Sequence, residues 1–135
     1  MDTNQPVFTF RALRNDDDGK ASAAVIDSLV AEAHRLGFYT NLLTCGVGLT
    51  EERAAALKQA GLDHIQLSFQ DSTREMNDFL SHTKTFELKQ RVARMIKANG
   101  WPMVMNVVIH RMNVDCIGRI IEMADELGAE YLELA

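Results

Sequence analysis

Gly61-Leu62-Asp63-His64-Ile65-Gln66-Leu67-Ser68-Phe69-Gln70-Asp71 is the stretch whose reading decides the fold. Gly61 closes a helix, and a strand follows in which Ile65, Leu67 and Phe69 alternate with His64, Gln66, Ser68 and Gln70. Side chains on a strand alternate between faces, so one face is apolar and the other almost wholly polar. A strand covered by helices on both faces reads as apolar throughout. A polar face between helices therefore implies a barrel lumen or cleft, or else an edge strand with one solvated face. At this stretch alone both readings stay open.

Working outward, the same unit recurs. Val7-Phe8-Thr9-Phe10 reads as a short strand, followed by a charged loop over residues 11–20 that contains Asp16, Asp17 and Asp18. Three adjacent carboxylates suit a hard cation, but the spaced ligands of a calcium loop are absent, and a solvated turn is the reading taken. From Ser22 a helical stripe carries Val25, Ile26, Leu29, Val30, Ala33 and Leu36, ended by Gly37. Phe38 to Cys45 is a strand, Gly46-Val47-Gly48 a turn, and Thr50 the N-cap of a helix with Glu51 and Glu52 in its first turn. Beyond the opening stretch, Asp71-Ser72-Thr73 caps a short helix with Met76, Phe79 and Leu80. Thr85 caps a second one with Leu88, Val92, Met95 and Ile96. Met103 to His110 is the strongest strand, Asn113 caps the last helix, and Tyr131-Leu132-Glu133-Leu134 opens a final strand. Helix, Gly, one or two residues and strand thus repeat at Gly37, Gly61, Gly100 and Gly128. Such alternation predicts βαβ units and an α/β parallel sheet, a partial TIM-type barrel segment of five strands and about four helical layers. A full barrel usually needs 200 or more residues, and the chain has 135.

A net charge of −5 argues against nucleic acid as the partner, which calls for a basic patch. The apolar run over residues 103–109 is broken by Asn106 and falls far short of the roughly 20 residues of a membrane span. The start of the chain has no signal-peptide pattern, so the expected location is the cytoplasm. Cys45 and Cys116 stand apart, without metal-type spacing, and are expected to be free thiols.

In parallel α/β folds ligands bind at the carboxyl ends of strands. The rule singles out Thr44, Cys45 and Gly46, then Ser68, Gln70 and Asp71, then His110, Arg111 and Asn113. Asn106 shares a face with Val104, Val108 and His110, and an amide in so apolar a strand needs a partner that a polar lumen supplies. Cys45 reads as a small buried residue or as a nucleophile. His110-Arg111 reads as an anion site or as a solvated loop. Asp71-Ser72 reads as a helix cap before a ligand contact, and His34 as a surface residue. No phosphate-binding glycine loop or Ser-His-Asp order is present.

The segments over residues 36–44, 49–53 and 60–71, with Asn106-Val107-Val108-Ile109-His110-Arg111-Met112-Asn113 and residues 127–135, closely resemble the pyrroloquinoline quinone biosynthesis protein E (PqqE) family. The resemblance covers residues 29–135 and divides the chain into a divergent N-terminal strand and loop, 1–24, and a partial radical SAM barrel, 25–135. It implies a radical S-adenosylmethionine (SAM) enzyme in which a [4Fe-4S] cluster cleaves SAM. The radical then crosslinks Glu and Tyr of the precursor peptide PqqA, presented by PqqD. By resemblance the cofactor-binding residues are Asn41 and Thr44 on one strand, Ser68 and Gln70 on the next, and Asn106 and His110 on the one after. Three features of the family do not appear in this sequence. The Cys-x-x-x-Cys-x-x-Cys that holds the cluster is absent, and Arg11-Ala12-Leu13-Arg14 stands where a Gly-Gly-Glu-Pro turn holds the SAM amino group. The C-terminal cluster-binding extension is missing too. Two distant thiols cannot replace three from one local loop, so no metal site is expected and the chain reads as inactive alone. The alternatives are a non-catalytic remnant that binds PqqD or the precursor peptide, and a segment of another radical SAM peptide maturase.

Overall fold

The structure is a computed structural model that describes residues 4–11 and 19–135. The Asp16–Asp18 turn and the Arg11–Arg14 comparison beyond Arg11 lie outside those residues. Strands β1 (Val7–Arg11), β2 (Tyr39–Thr44), β3 (His64–Phe69), β4 (Met103–Val107) and β5 (Tyr131–Leu134) form one sheet. They lie side by side in chain order, and every neighbouring pair is parallel. Between them run α1 (Gly19–Arg35), α2 (Glu51–Ala60), α3 (Arg74–Ser81), α4 (Phe86–Ala98) and α5 (Ile117–Glu126), the last entered through a 3-10 turn at Val114–Cys116. Because β1 pairs with β2 along its length, the strand ahead of residue 25 belongs to this same sheet.

Sequential strand order has a physical consequence. Crossovers between parallel strands keep one hand, so a row that never reverses direction places all its helices on one side. The packing shows this. A single core takes Val30 and Ala33 from α1, Ala54 and Leu57 from α2, Val92 and Ile96 from α4, and Ile120 and Met123 from α5. All of them meet one face of the strands, formed by Leu42, Ile65, Leu67, Phe69, Met103, Met105 and Val107. Burying each such side chain contributes about 1.5–3 kcal/mol. On the other face His64, Gln66, Ser68, Val104 and Asn106 are only half-buried. The alternation in β3 therefore separates a helix-covered side from an open polar side, as a barrel wall requires.

Helix ends are set by local chemistry. Gly61 sits at φ 95°, where a Cβ would lie 2.6 Å from the His34 ring. Glycine is needed there both for the backbone angle and for the space. Two caps differ from expectation. The Thr85 side chain makes no cap bond to α4; instead Asp78 Oδ1, from α3, accepts from the N–H groups of Thr85 (3.1 Å) and Phe86 (3.0 Å). Asn113 likewise makes no cap bond. Its amide is spent on the neighbouring loops, and β4 ends at Val107 rather than reaching His110. In α1 the apolar stripe is wider than the contact it makes. Val25 and Leu29, and Leu36 just past its end, are exposed, because this outermost helix has a neighbour, α2, on one side only.

Candidate functional site on the open face of the sheet

The register of the strands places the open-face side chains in tiers. Toward the amino ends the Tyr39 and His64 rings lie 5.2 Å apart, with Asn41 directly opposite His64, and Tyr131 lies farther along, in line with Val104 and Gln66. Burial lowers the His64 pKa, with Asp63 opposing, which favours the neutral imidazole. Burial also raises the Tyr39 phenol, reinforced by Asp63 and Tyr131.

From Asn41 a polar chain runs across the sheet. Asn41 Nδ2 donates to Gln66 Oε1 (3.2 Å) and lies 3.5 Å from Thr9 Oγ1. Gln66 Nε2 in turn reaches past β4 and donates to Glu133 on β5. Asn41 is 5% exposed, and its Oδ1 has no partner. Ser68 and Asn106 are direct neighbours in the β3–β4 register and form the tier above.

The rim at the carboxyl ends of β3 and β4 is held by two asparagines with no exposed surface. Asn77 Oδ1 accepts from the Gln70 N–H (2.9 Å). Asn113 Nδ2 donates to the carbonyls of Gln70 and Val108, both at 2.9 Å, while its Oδ1 accepts from the His110 N–H at 2.8 Å. Gln70 and His110 are thereby brought to one place. Asp71 Oδ2 accepts from the N–H (3.0 Å) and hydroxyl (2.8 Å) of Thr73, which caps α3, whereas Asp71 Oδ1 and Ser72 Oγ are buried without a partner. The helix-capping reading of Asp71 thus covers one of its two oxygens. Thr44 stands apart from the other candidates. It lies on the helix-covered side, and its hydroxyl accepts from the Gly46 N–H at 3.0 Å. Cys45 is half-buried beside Lys89, whose charge burial disfavours and Cys45 and Asp78 favour.

Of the residues expected at the site, Asn41, Ser68 and Asn106 share the open face, and Gln70 and His110 share the rim. Thr9, Gln66 as a bridge, Glu133 and Asn77 were not foreseen. Their role depends on which residues lie opposite one another across strands, which a single sequence does not state. Among the described residues no three His, Cys, Asp or Glu come together in a way that could hold a metal ion. Cys45 follows β2 and Cys116 lies in the 3-10 turn after β4, so an iron–sulfur cluster does not fit this donor set. SAM needs hydrogen-bonding groups, not thiolates, and the unpartnered Asp71, Ser72 and Asn41 atoms meet that need. No helix among the described residues is long and apolar enough to cross a membrane.

Five parallel strands in sequence order, helices on one side and a polar hollow on the other define a segment of a (β/α) barrel wall with its site inside. The family model of the radical SAM superfamily matches residues 11–124, and the chain belongs to that superfamily. Among solved structures it is similar to Streptococcus suis SuiB, at 16% identity and a TM-score of 0.69 over 81% of this chain and 25% of that one. SuiB bound to S-adenosylmethionine gives the same figures. SuiB bound to its precursor peptide SuiA matches at 14% identity and a TM-score of 0.68 over 91% of this chain and 33% of that one. The chain spans a quarter to a third of the length of these structures.

Proposed function

We propose that this chain is part of the barrel wall of a PqqE-like radical SAM peptide-modifying enzyme, whose open face receives a precursor peptide. The observation that carries the reading is the open face of a one-sided parallel sheet, on which Asn41, His64, Gln66, Ser68 and Asn106 stand, in a chain of the radical SAM superfamily. The substrate class is a PqqA-like peptide in which Glu and Tyr side chains are crosslinked, with PqqD as the presenting partner and the cytoplasm as the location. When bound, SAM supplies the 5′-deoxyadenosyl group for hydrogen abstraction. Ser68, Gln70, Asn106 and His110 would hold it at the rim, with Asn41 deeper and Thr44 shaping the β2 turn. No step runs through a cluster on this chain, because its thiols do not fit one.

Fluorescence anisotropy with a labelled PqqA-type peptide tests the proposal, with and without PqqD. Saturable binding that weakens when the peptide Glu and Tyr are replaced supports it. Binding that ignores those two residues favours a second reading, another radical SAM peptide maturase, for which the likeness to peptide-bound SuiB speaks. A folded chain that binds no peptide overturns both. Anaerobic reconstitution is expected to leave the chain without iron and unable to cleave SAM. About four irons per chain with 5′-deoxyadenosine release would contradict the cluster reading.

A further inference from the structure

The geometry points to Glu133, Gln66 and Asn41 as a one-way amide relay that presents the Asn41 carbonyl oxygen to a protonated amine. The inference rests on the open face being the binding face, and it names what that face takes. Asn and Gln amides can be placed in either orientation, so their direction must come from the network. Here the network has a fixed end. A carboxylate offers only acceptors, so Gln66 must turn its NH2 group to Glu133. Its oxygen then faces Asn41, which must answer with its own NH2 group. The Thr9 hydroxyl lies on that same side of the Asn41 amide. Asn41 Oδ1 is left over, on a residue that is 5% exposed, with nothing to accept from.

The surroundings decide what kind of group completes it. Glu133 brings a negative charge to the same face, and burial disfavours the charged form of the half-buried His64 ring there. The Tyr39 and His64 rings lie alongside, with His64 directly opposite Asn41 in the strand register. Among described residues assigned to this face by register, Arg11 on the exposed edge strand is the one permanent cation. Acceptors, one carboxylate and aromatic rings suit a compact donor-rich cation and repel an anion. A primary ammonium, with three donors, matches. It can come from a lysine side chain of the peptide or from the amino group of SAM.

Side-chain amide NMR of the 15N-labelled full chain reads the relay directly. Glu133→Gln removes the fixed end, and the Asn41 NH2 signals are expected to move although Glu133 does not touch Asn41. Unmoved Asn41 signals would refute the relay. The wild-type chain is then titrated separately with a lysine-containing peptide, its acetyl-lysine counterpart and SAM. The Asn41 signals are expected to respond to at least one amine, with acetylation weakening a peptide response at least tenfold; in Asn41→Leu the Gln66 NH2 signals, which report on the same site, are expected to stop responding to that amine. Response to the peptide alone, or to SAM alone, identifies the source. No response to either amine, or an equal response to acetylated peptide, overturns the inference. Gln66→Met, with circular dichroism as the folding control, provides a second break in the relay should Asn41→Leu unfold. If peptide anisotropy persists while the Asn41 signals stay silent, the relay fails and the peptide-binding reading stands. Loss of both removes the open face as a binding surface.

Discussion

Asn113 separates two roles that look alike in sequence. As a helix cap its replacement by Asp would be nearly neutral and by Ala would cost about 1 kcal/mol, since Asp and Asn cap equally well. As the brace seen here, itself without exposed surface, it satisfies three main-chain groups: the carbonyls of Gln70 and Val108 and the N–H of His110. At about 1 kcal/mol net per hydrogen bond, Asn113→Ala is expected to destabilise the fold by about 3 kcal/mol. Asn113→Asp keeps the acceptor for His110 but loses both donors and sets a carboxylate against two carbonyl oxygens. At pH 7 it should cost at least as much as Ala, and part of the loss should return below about pH 4, where a protonated carboxyl can donate once. Urea unfolding followed by circular dichroism gives both values. An Asp variant within about 0.5 kcal/mol of the original, with Ala near 1 kcal/mol, would restore the capping role and refute the brace.

Gly61→Ala combines positive φ with a clash against His34 and is expected to cost about 2 kcal/mol, of which His34→Ala in the same chain recovers about half; strict additivity in thermal or urea unfolding would mean that the ring does not oppose the new Cβ. Asp78→Ala removes the acceptor that both Thr85 and Phe86 use, for an expected loss of about 1–2 kcal/mol, while Asp78→Asn keeps an oxygen there and should stay within about 0.5 kcal/mol; equal losses would show that charge rather than capping matters. Lys89 is 2% exposed over the Phe69 ring, and burial lowers its pKa below the ordinary 10.5. The unfolded chain therefore binds more protons in the alkaline range, and stability rises with pH up to about 10.5. Lys89→Met is expected to be neutral or stabilising at pH 7 and to flatten that rise, which unfolding midpoints measured between pH 7 and 10 would detect.

The fold was legible because its signals are local and repeated. Four helix-stopping glycines and the alternation in His64–Phe69 are enough to predict parallel βαβ units and a sheet with one polar face. Capping was only half legible. Thr50 and Thr73 cap their own helices, but at Thr85 and Asn113 the competition was won by tertiary partners that no local window contains. The site divides in the same way. Asn106 stands out as an amide within an apolar strand and Asn41 enters through the family resemblance, whereas Glu133 becomes part of it only because the register sets β5 two strands from Gln66. Thr44 shows the limit of reasoning from strand ends. Three residues on from Asn41, it necessarily faces the other way.

One further regularity ties the sheet to its site. Two residues after the helix-stopping glycines at 61 and 128 comes an acid, Asp63 and Glu130. Asp63 Oδ2 accepts from the Thr40 N–H (2.7 Å) and hydroxyl (2.9 Å), and Glu130 Oε2 from the Met103 N–H (2.7 Å). Each carboxylate thus pins the start of the preceding strand to the start of its own. Burial pushes Glu130 up, but the Lys97 ammonium and the Met103 N–H outweigh it and hold the carboxyl below its usual range. These clamps fix the amino end of the sheet through bonds to strand backbone. The carboxyl end is fixed differently, by Asn77 and Asn113, which bind loop backbone rather than strand backbone. Loops held in this way can change sequence without disturbing register. A barrel wall built on such a division keeps one end constant while the other is shaped to its substrate.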